Sequence, residues 1–97
     1  MQSTHNSPDF NDERLKYIYM SARLGTMRAA ADALGVAPSS VSRQITQLER
    51  YLGLPLVEKR SRKVKLTQAG EYVVAYYRER LSHKEYLTGQ LDDLKGL

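Results

Sequence analysis

The stretch Met27–Gly53, MRAAADALGVAPSSVSRQITQLERYLG, decides the fold. Its first third is rich in Ala, the strongest helix former. Met27, Ala30, Ala31 and Leu34 share one face at helical spacing. Thr26 is placed as the cap, and Gly35 stops the helix. Gly35–Ala37 is then a three-residue turn. A second helix is predicted from about Pro38 to Tyr51, since Pro in a first turn lacks only an N–H that has no helical partner there. Val41, Ile45, Leu48 and Leu52 recur at i, i+4, i+7 and i+11 and point inward. Ser39, Ser42, Arg43, Thr46 and Arg50 lie on the opposite face, and Ser40 adds a third hydroxyl to the first turns. Gly53 closes the element.

Two helices joined by a short Gly turn make a helix-turn-helix, here residues 27–46. In that motif the second helix enters a DNA major groove and offers its N-terminal residues to base edges. Small residues such as Pro38, Ser39 and Ser42 keep that leading edge slim. Their hydroxyls can serve a base or a phosphate, and Arg43 can bond a guanine with two prongs. Ser at a helix start also has a plain reading, because Ser caps helices.

Downstream, LPLVEKRSRKVKLT (Leu54–Thr67) alternates apolar and polar residues around a polar turn at Arg60–Arg62. That pattern predicts a two-stranded hairpin, the wing, over 56–66. Its outer face and tip hold Lys59, Arg60, Arg62, Lys63 and Lys65. Arg62 is the candidate for a narrow minor groove, which attracts arginine. The lysines are phosphate contacts or edge charges that discourage aggregation.

Upstream, Asn11 caps a first helix whose opening turn holds Asp12 and Glu13, suiting the helix dipole. Phe10 and Leu15 stand at the positions of a hydrophobic staple, and Gly25 ends this helix. Residues 1–10 read as a flexible tail. At the other end, Thr67 caps a long helix to about Leu94. Val73, Tyr77, Leu81, Leu87, Leu91 and Leu94 line its apolar side, with Tyr72, Tyr76 and Tyr86 adding bulk that suits burial against a partner. A helix of about 28 residues runs roughly 42 Å, farther than a small globule can cover.

Charge follows the same map. Residues 26–65 carry eight basic and three acidic side chains, whereas 1–25 are neutral and 66–97 are slightly acidic. A basic middle third is the footprint of a polyanion partner, or a solubilising face. The chain has 97 residues, which suits one small domain, and no Cys, which removes disulfides and thiolate metal sites. No apolar run reaches the roughly 20 residues of a membrane span, so a soluble cytoplasmic protein is expected. The two histidines, His5 and His83, are far apart, and no His-x-x-x-His, P-loop or GxGxxG occurs. An enzyme, a catalytic site, a metal and a cofactor are therefore not expected. RNA binding is disfavoured by the lack of aromatics on a sheet face.

The order helix, helix, turn, helix, hairpin, long helix resembles the N-terminal DNA-binding domain of LysR-type transcriptional regulators. Leu15–Glu71 carries the resemblance, nearly position by position in AADALGV, SSVSRQITQLE, LGLPLVEK and KLTQAGE. It implies a mainly α, winged helix-turn-helix over 11–66 followed by a linker or dimerisation helix over 67–97. It implies base reading from Pro38, Ser39, Ser42 and Arg43, a backbone contact from Arg28, and a wing-tip arginine at Arg62. Ser40, Thr46, Arg60 and Lys63 complete the expected DNA face. The last helix is implied to pair antiparallel with that of a second copy, giving a homodimer on an inverted-repeat operator. The alternative is a winged helix that binds proteins. Departures are specific. The family's frequent Ser-Gln-Pro is Ala37-Pro38-Ser39, its wing Phe is Val57, and its early apolar residue in the first helix is Asp12. Family members also carry a larger inducer-binding domain, so the chain reads as an isolated DNA-binding domain without it.

Overall fold

The fold comes from a computed structural model and is described for residues 10–59 and 62–97. The tail before Phe10, and Arg60 of the expected DNA face, lie outside the described residues. Four helices follow in order: α1 (Asp12–Leu24), α2 (Met27–Leu34), α3 (Pro38–Leu52) and α4 (Gln68–Lys95). The sequence placed each of these, with ends shifted by a residue.

Local chemistry explains the boundaries. The Asn11 side chain accepts the Arg14 N–H at 2.8 Å, and Thr26 Oγ1 accepts the Ala29 N–H at 3.0 Å. Thr67 Oγ1 accepts the Gly70 N–H at 3.1 Å and donates to the Pro55 carbonyl at 2.7 Å. Each cap occupies an amide that the helix start leaves open. Ala37, heading α3, has no side chain able to do this, and Pro38 follows it. Gly35 sits at φ 70°, the left-handed region that glycine enters without a Cβ penalty. There its N–H reaches back to α2, and Val36 N–H bonds Ala31 O at 3.0 Å. The tight turn between the two motif helices depends on that reversal.

The helices α1, α2 and α3 pack on one another, and α4 packs on α1. Leu15, Ile18, Ala30, Ala31, Val41, Ile45, Leu48, Leu56 and Val74 form the buried core. The inward residues expected on α3 are all there except Leu52, which is half-buried. Ala30 and Ala31 let α2 approach its neighbours closely. Buried Ser21 satisfies its hydroxyl by donating to Tyr17 O at 2.8 Å. Phe10 stacks on Tyr51 with ring centroids 6.5 Å apart and tilts against Tyr76 at 5.8 Å.

The expected two-stranded hairpin is reduced, among the described residues, to one antiparallel bridge, Val57 with Leu66. Glu58 N–H bonds Lys65 O at 2.8 Å, and Thr67 N–H bonds Leu56 O at 3.0 Å. Three further donors are engaged elsewhere. Leu56 and Val57 N–H go to the Glu49 carboxylate at 2.7 and 3.3 Å, and Val64 N–H goes to Gly25 O at 2.7 Å. In the register set by Val57 and Leu66, the Val57 and Val64 amides point out of the hairpin in any case, and of the three only the Leu56 N–H is diverted from a ladder bond. Val57 packs against the core, as its alternation suggested.

Candidate nucleic-acid interface

The start of α2 lies beside both the outer face of α3 with residues 54–59 and, in a neighbouring hollow, Arg62 and Val64. Their meeting is set by anchors underneath. Val41, Ile45 and Leu48 hold α3 on the core, so the opposite face of the helix is presented outward. Arg14 Nε donates to Gln44 Oε1 at 2.9 Å, fixing α3 to α1 from behind. Glu49 ties the chain after α3 back onto that helix, and Gly25 ties its return limb to the start of the motif.

Pro38, Ser39, Ser42, Arg43 and Thr46 are exposed on α3, and Ser40 is half-buried. Arg28 on α2 is exposed, as are Arg62 and Lys63. A groove of about 560 Å³ runs between α3 and the following segment, lined by Ser42, Thr46 and Arg50 on one side and Lys59 on the other, with Met27 of α2. A second hollow of about 560 Å³ brings Arg28 and Arg62 together beside Thr26 and Val64. Residues 34 positions apart in the chain thus share one depression. The second hollow concentrates positive charge, with two arginines and no acid, whereas the groove sets Glu49 and Glu58 against Arg50 and Lys59. No such concentration occurs on α4, where basic and acidic residues alternate.

The residues proposed for pairing on α4 divide. Val73 and Tyr77 pack against the core, and Tyr77 lies 5.0 Å from the ring of Tyr19. Burial there pushes the Tyr77 hydroxyl pKa up. Leu81 is half-buried, whereas Leu87, Leu91 and Leu94 are exposed, and so is every residue from Ser82 onward.

Three structural anchors escaped the sequence reading. Glu49 looked like one of few acids in a basic region, yet its carboxylate holds two backbone amides. Gly70 looked like part of a motif string, yet it lies against the Leu56 main chain. Asp12 looked like a dipole charge, yet it takes a two-pronged contact from Arg80 on α4 at 2.9 and 2.9 Å. That hydrogen bond holds the Asp12 carboxyl below its usual range. The only available signals were an acid inside a basic block, a Gly inside a helix start, and an Asp where relatives place an apolar residue.

Residues 13–71 match the family described as bacterial regulatory helix-turn-helix protein, lysR family. This chain belongs to the LysR family. The span covers the motif, the segment after it and the first turn of α4. A probable RuBisCO transcriptional regulator of Emiliania huxleyi is 36% identical over 88 residues, which are 91% of this chain and 28% of that protein. The chain thus spans less than a third of the length of this curated LysR-type relative. Full-length LysG from Corynebacterium glutamicum superposes with a TM-score of 0.80 at 30% identity, over 86% of this chain and 29% of that one. The BenM DNA-binding domain in complex with benA site 1 DNA superposes with a TM-score of 0.79 at 31% identity, over 87% of this chain and 94% of that one. The LysR family is one of transcriptional regulators rather than of enzymes. Among the described residues no helix is long and apolar enough to cross a membrane.

Proposed function

We propose that this LysR-family domain binds double-stranded DNA in a sequence-specific way to regulate transcription in the bacterial cytoplasm. The observation that carries the proposal is the pair of hollows that share Met27, one lined by Ser42, Thr46, Arg50 and Lys59 and the other by Arg28 and Arg62. The chain's likeness to a domain solved on DNA supports the same reading. In this reading α3 enters the major groove. Pro38, Ser39, Ser42 and Arg43 face base edges, and Ser40 and Thr46 flank them. Arg28 meets the backbone from α2. The segment 56–66 acts as the wing, with Arg62 in the minor groove and Lys63, with Arg60, on phosphates. Pro38 stands where relatives often have Gln, so it removes an amide that reads bases and shifts specificity at that position.

Two copies are needed for an inverted repeat. Leu87, Leu91 and Leu94 leave an apolar strip that none of the described residues covers, and pairing through α4 would bury it. Leu81 lies at the edge of that strip, while Val73 and Tyr77 support the helix from the globule side. Paired helices place two recognition helices about one DNA turn apart, or a multiple of it.

Fluorescence anisotropy on duplexes selected from random DNA tests the reading. Affinity should fall steeply with salt, as phosphate contacts release counterions. Arg43→Ala should weaken selected sites by about 1–3 kcal/mol and random duplex far less. Lys63→Ala should weaken both alike and reduce the salt slope by about one. If neither substitution changes DNA binding while the chain still dimerises, the domain is a protein-interaction module instead.

A further inference from the structure

We propose that Arg80 is a positioning residue that fixes the angle at which α4 leaves the globule, and thereby the half-site spacing the dimer accepts. The inference rests on the reading of α4 as the pairing helix of a DNA-bound dimer.

The helix α4 has two regimes. Its first half is seated on α1 through Val74, Tyr77 and their neighbours, and from Ser82 every residue is exposed. Arg80 stands in the last turn before that change. Its Nε and Nη2 reach the two carboxylate oxygens of Asp12, each at 2.9 Å. The guanidinium lies 5.6 Å from the Tyr76 ring centroid, Tyr76 meets Phe10, and Phe10 meets Tyr51 on α3. The exit of α4 is therefore braced against α1 and, through ring contacts, against the end of the recognition helix.

A planar guanidinium fork on a carboxylate fixes orientation as well as distance. Packing at Val74 and Tyr77 holds α4 down but leaves it free to swing about that seat. Arg80 limits the swing. From Arg80 to Leu94 the helix extends roughly 21 Å, so a tilt of about 10° carries its far end roughly 4 Å. The partner's recognition helix moves with it, by an amount comparable to the 3.4 Å rise of one base pair. The side chains of Arg80 and Asp12 are 50% and 54% exposed, so the pair adds little to the stability of the globule. Its effect is on geometry, and the two are separable by experiment.

The test uses the purified chain and duplexes carrying two copies of a selected half-site, with the separation varied one base pair at a time, alongside a duplex with one half-site. Wild type should prefer one separation sharply. Arg80→Ala and the near-isosteric Asp12→Asn should flatten that preference by about 3–10-fold, a loss on the scale of a strong ion-pair contact. Single half-site affinity and thermal midpoint should stay within error of wild type. The exchanged pair Asp12→Arg/Arg80→Asp should restore the preference. An unchanged spacing profile overturns the proposal, and so does an equal loss on single and paired sites, which would mark a purely structural role. A wild-type chain that binds no duplex, or binds only as a monomer, overturns the underlying reading and the proposal with it.

Discussion

Substituting Gly70 by Ala should destabilise the domain, although Gly→Ala in a helix ordinarily stabilises it by up to about 1 kcal/mol. The sign reverses because of what lies beside Gly70. A Cβ built there runs into the Leu56 carbonyl oxygen, sits 3.0 Å from the Leu56 carbonyl carbon and 3.2 Å from Leu66 Cδ2. The obstruction is main chain, so no rotamer change relieves it. Leu56 itself is fully buried, its N–H is held by Glu49, and its oxygen accepts the Thr67 N–H. The start of α4 must therefore retreat from residues 55–57 and strain those bonds. Overpacking of this kind costs about 1–3 kcal/mol, and weakening one backbone bond adds about 1 kcal/mol. Set against the gain of about 1 kcal/mol in helix propensity, a net loss of about 2 kcal/mol would lower the melting midpoint by roughly 8–16 °C in a domain of this size. Gly89 supplies the control, since nothing lies within 4 Å of its Cβ position. Gly89→Ala should raise helicity at 222 nm without lowering the midpoint. Thermal melts followed by circular dichroism compare the two directly. A Gly70→Ala protein that melts at or above wild type would refute the close-approach reasoning.

Glu49→Ala strands two amides, one on a fully buried residue, and should cost about 1–3 kcal/mol as a lower urea midpoint at unchanged slope. Glu49→Gln keeps an acceptor oxygen and should lose less; equal losses would show that the amide bonds are not the cause. Ala37→Ser should supply the missing cap of α3 and stabilise by about 1 kcal/mol, read as a higher midpoint, with no gain counting against the cap assignment. The Asp12 carboxyl is held down first by the hydrogen bond from Arg80. Its ion pair therefore contributes above the ordinary Asp range, and that contribution is lost as pH falls through the depressed value. Asp12→Asn should remove this small contribution at pH 7 and converge with wild type at acid pH below the depressed value, as pH-dependent melts would show.

The helices were legible because their signals are local. Asn11, Thr26 and Thr67 cap by bonding amides three residues on, and Gly25, Gly35 and Gly53 end helices through their own backbone. Val41, Ile45 and Leu48 repeat at a period that needs no knowledge of the partner surface. The outward face of α3 followed by subtraction, so Ser39, Ser42, Arg43 and Thr46 could be named in advance. The wing was less legible. Alternation at Val57–Lys59 and Val64–Leu66 matched a hairpin, but it could not reveal that Glu49 claims the Leu56 amide, which a ladder would use.

The sequence by itself determined where each helix begins and ends, which face of α3 is bare, and where positive charge accumulates. These depend on neighbours within about one or two turns of chain. Tertiary structure alone decided that Arg28 and Arg62 share a hollow, that Gly70 must lack a side chain, and that Asp12 meets Arg80 across 68 positions. Those facts depend on how α4 and the segment before it lie against α1 and α3. That arrangement is set by the whole buried core, and no periodicity in the chain encodes it.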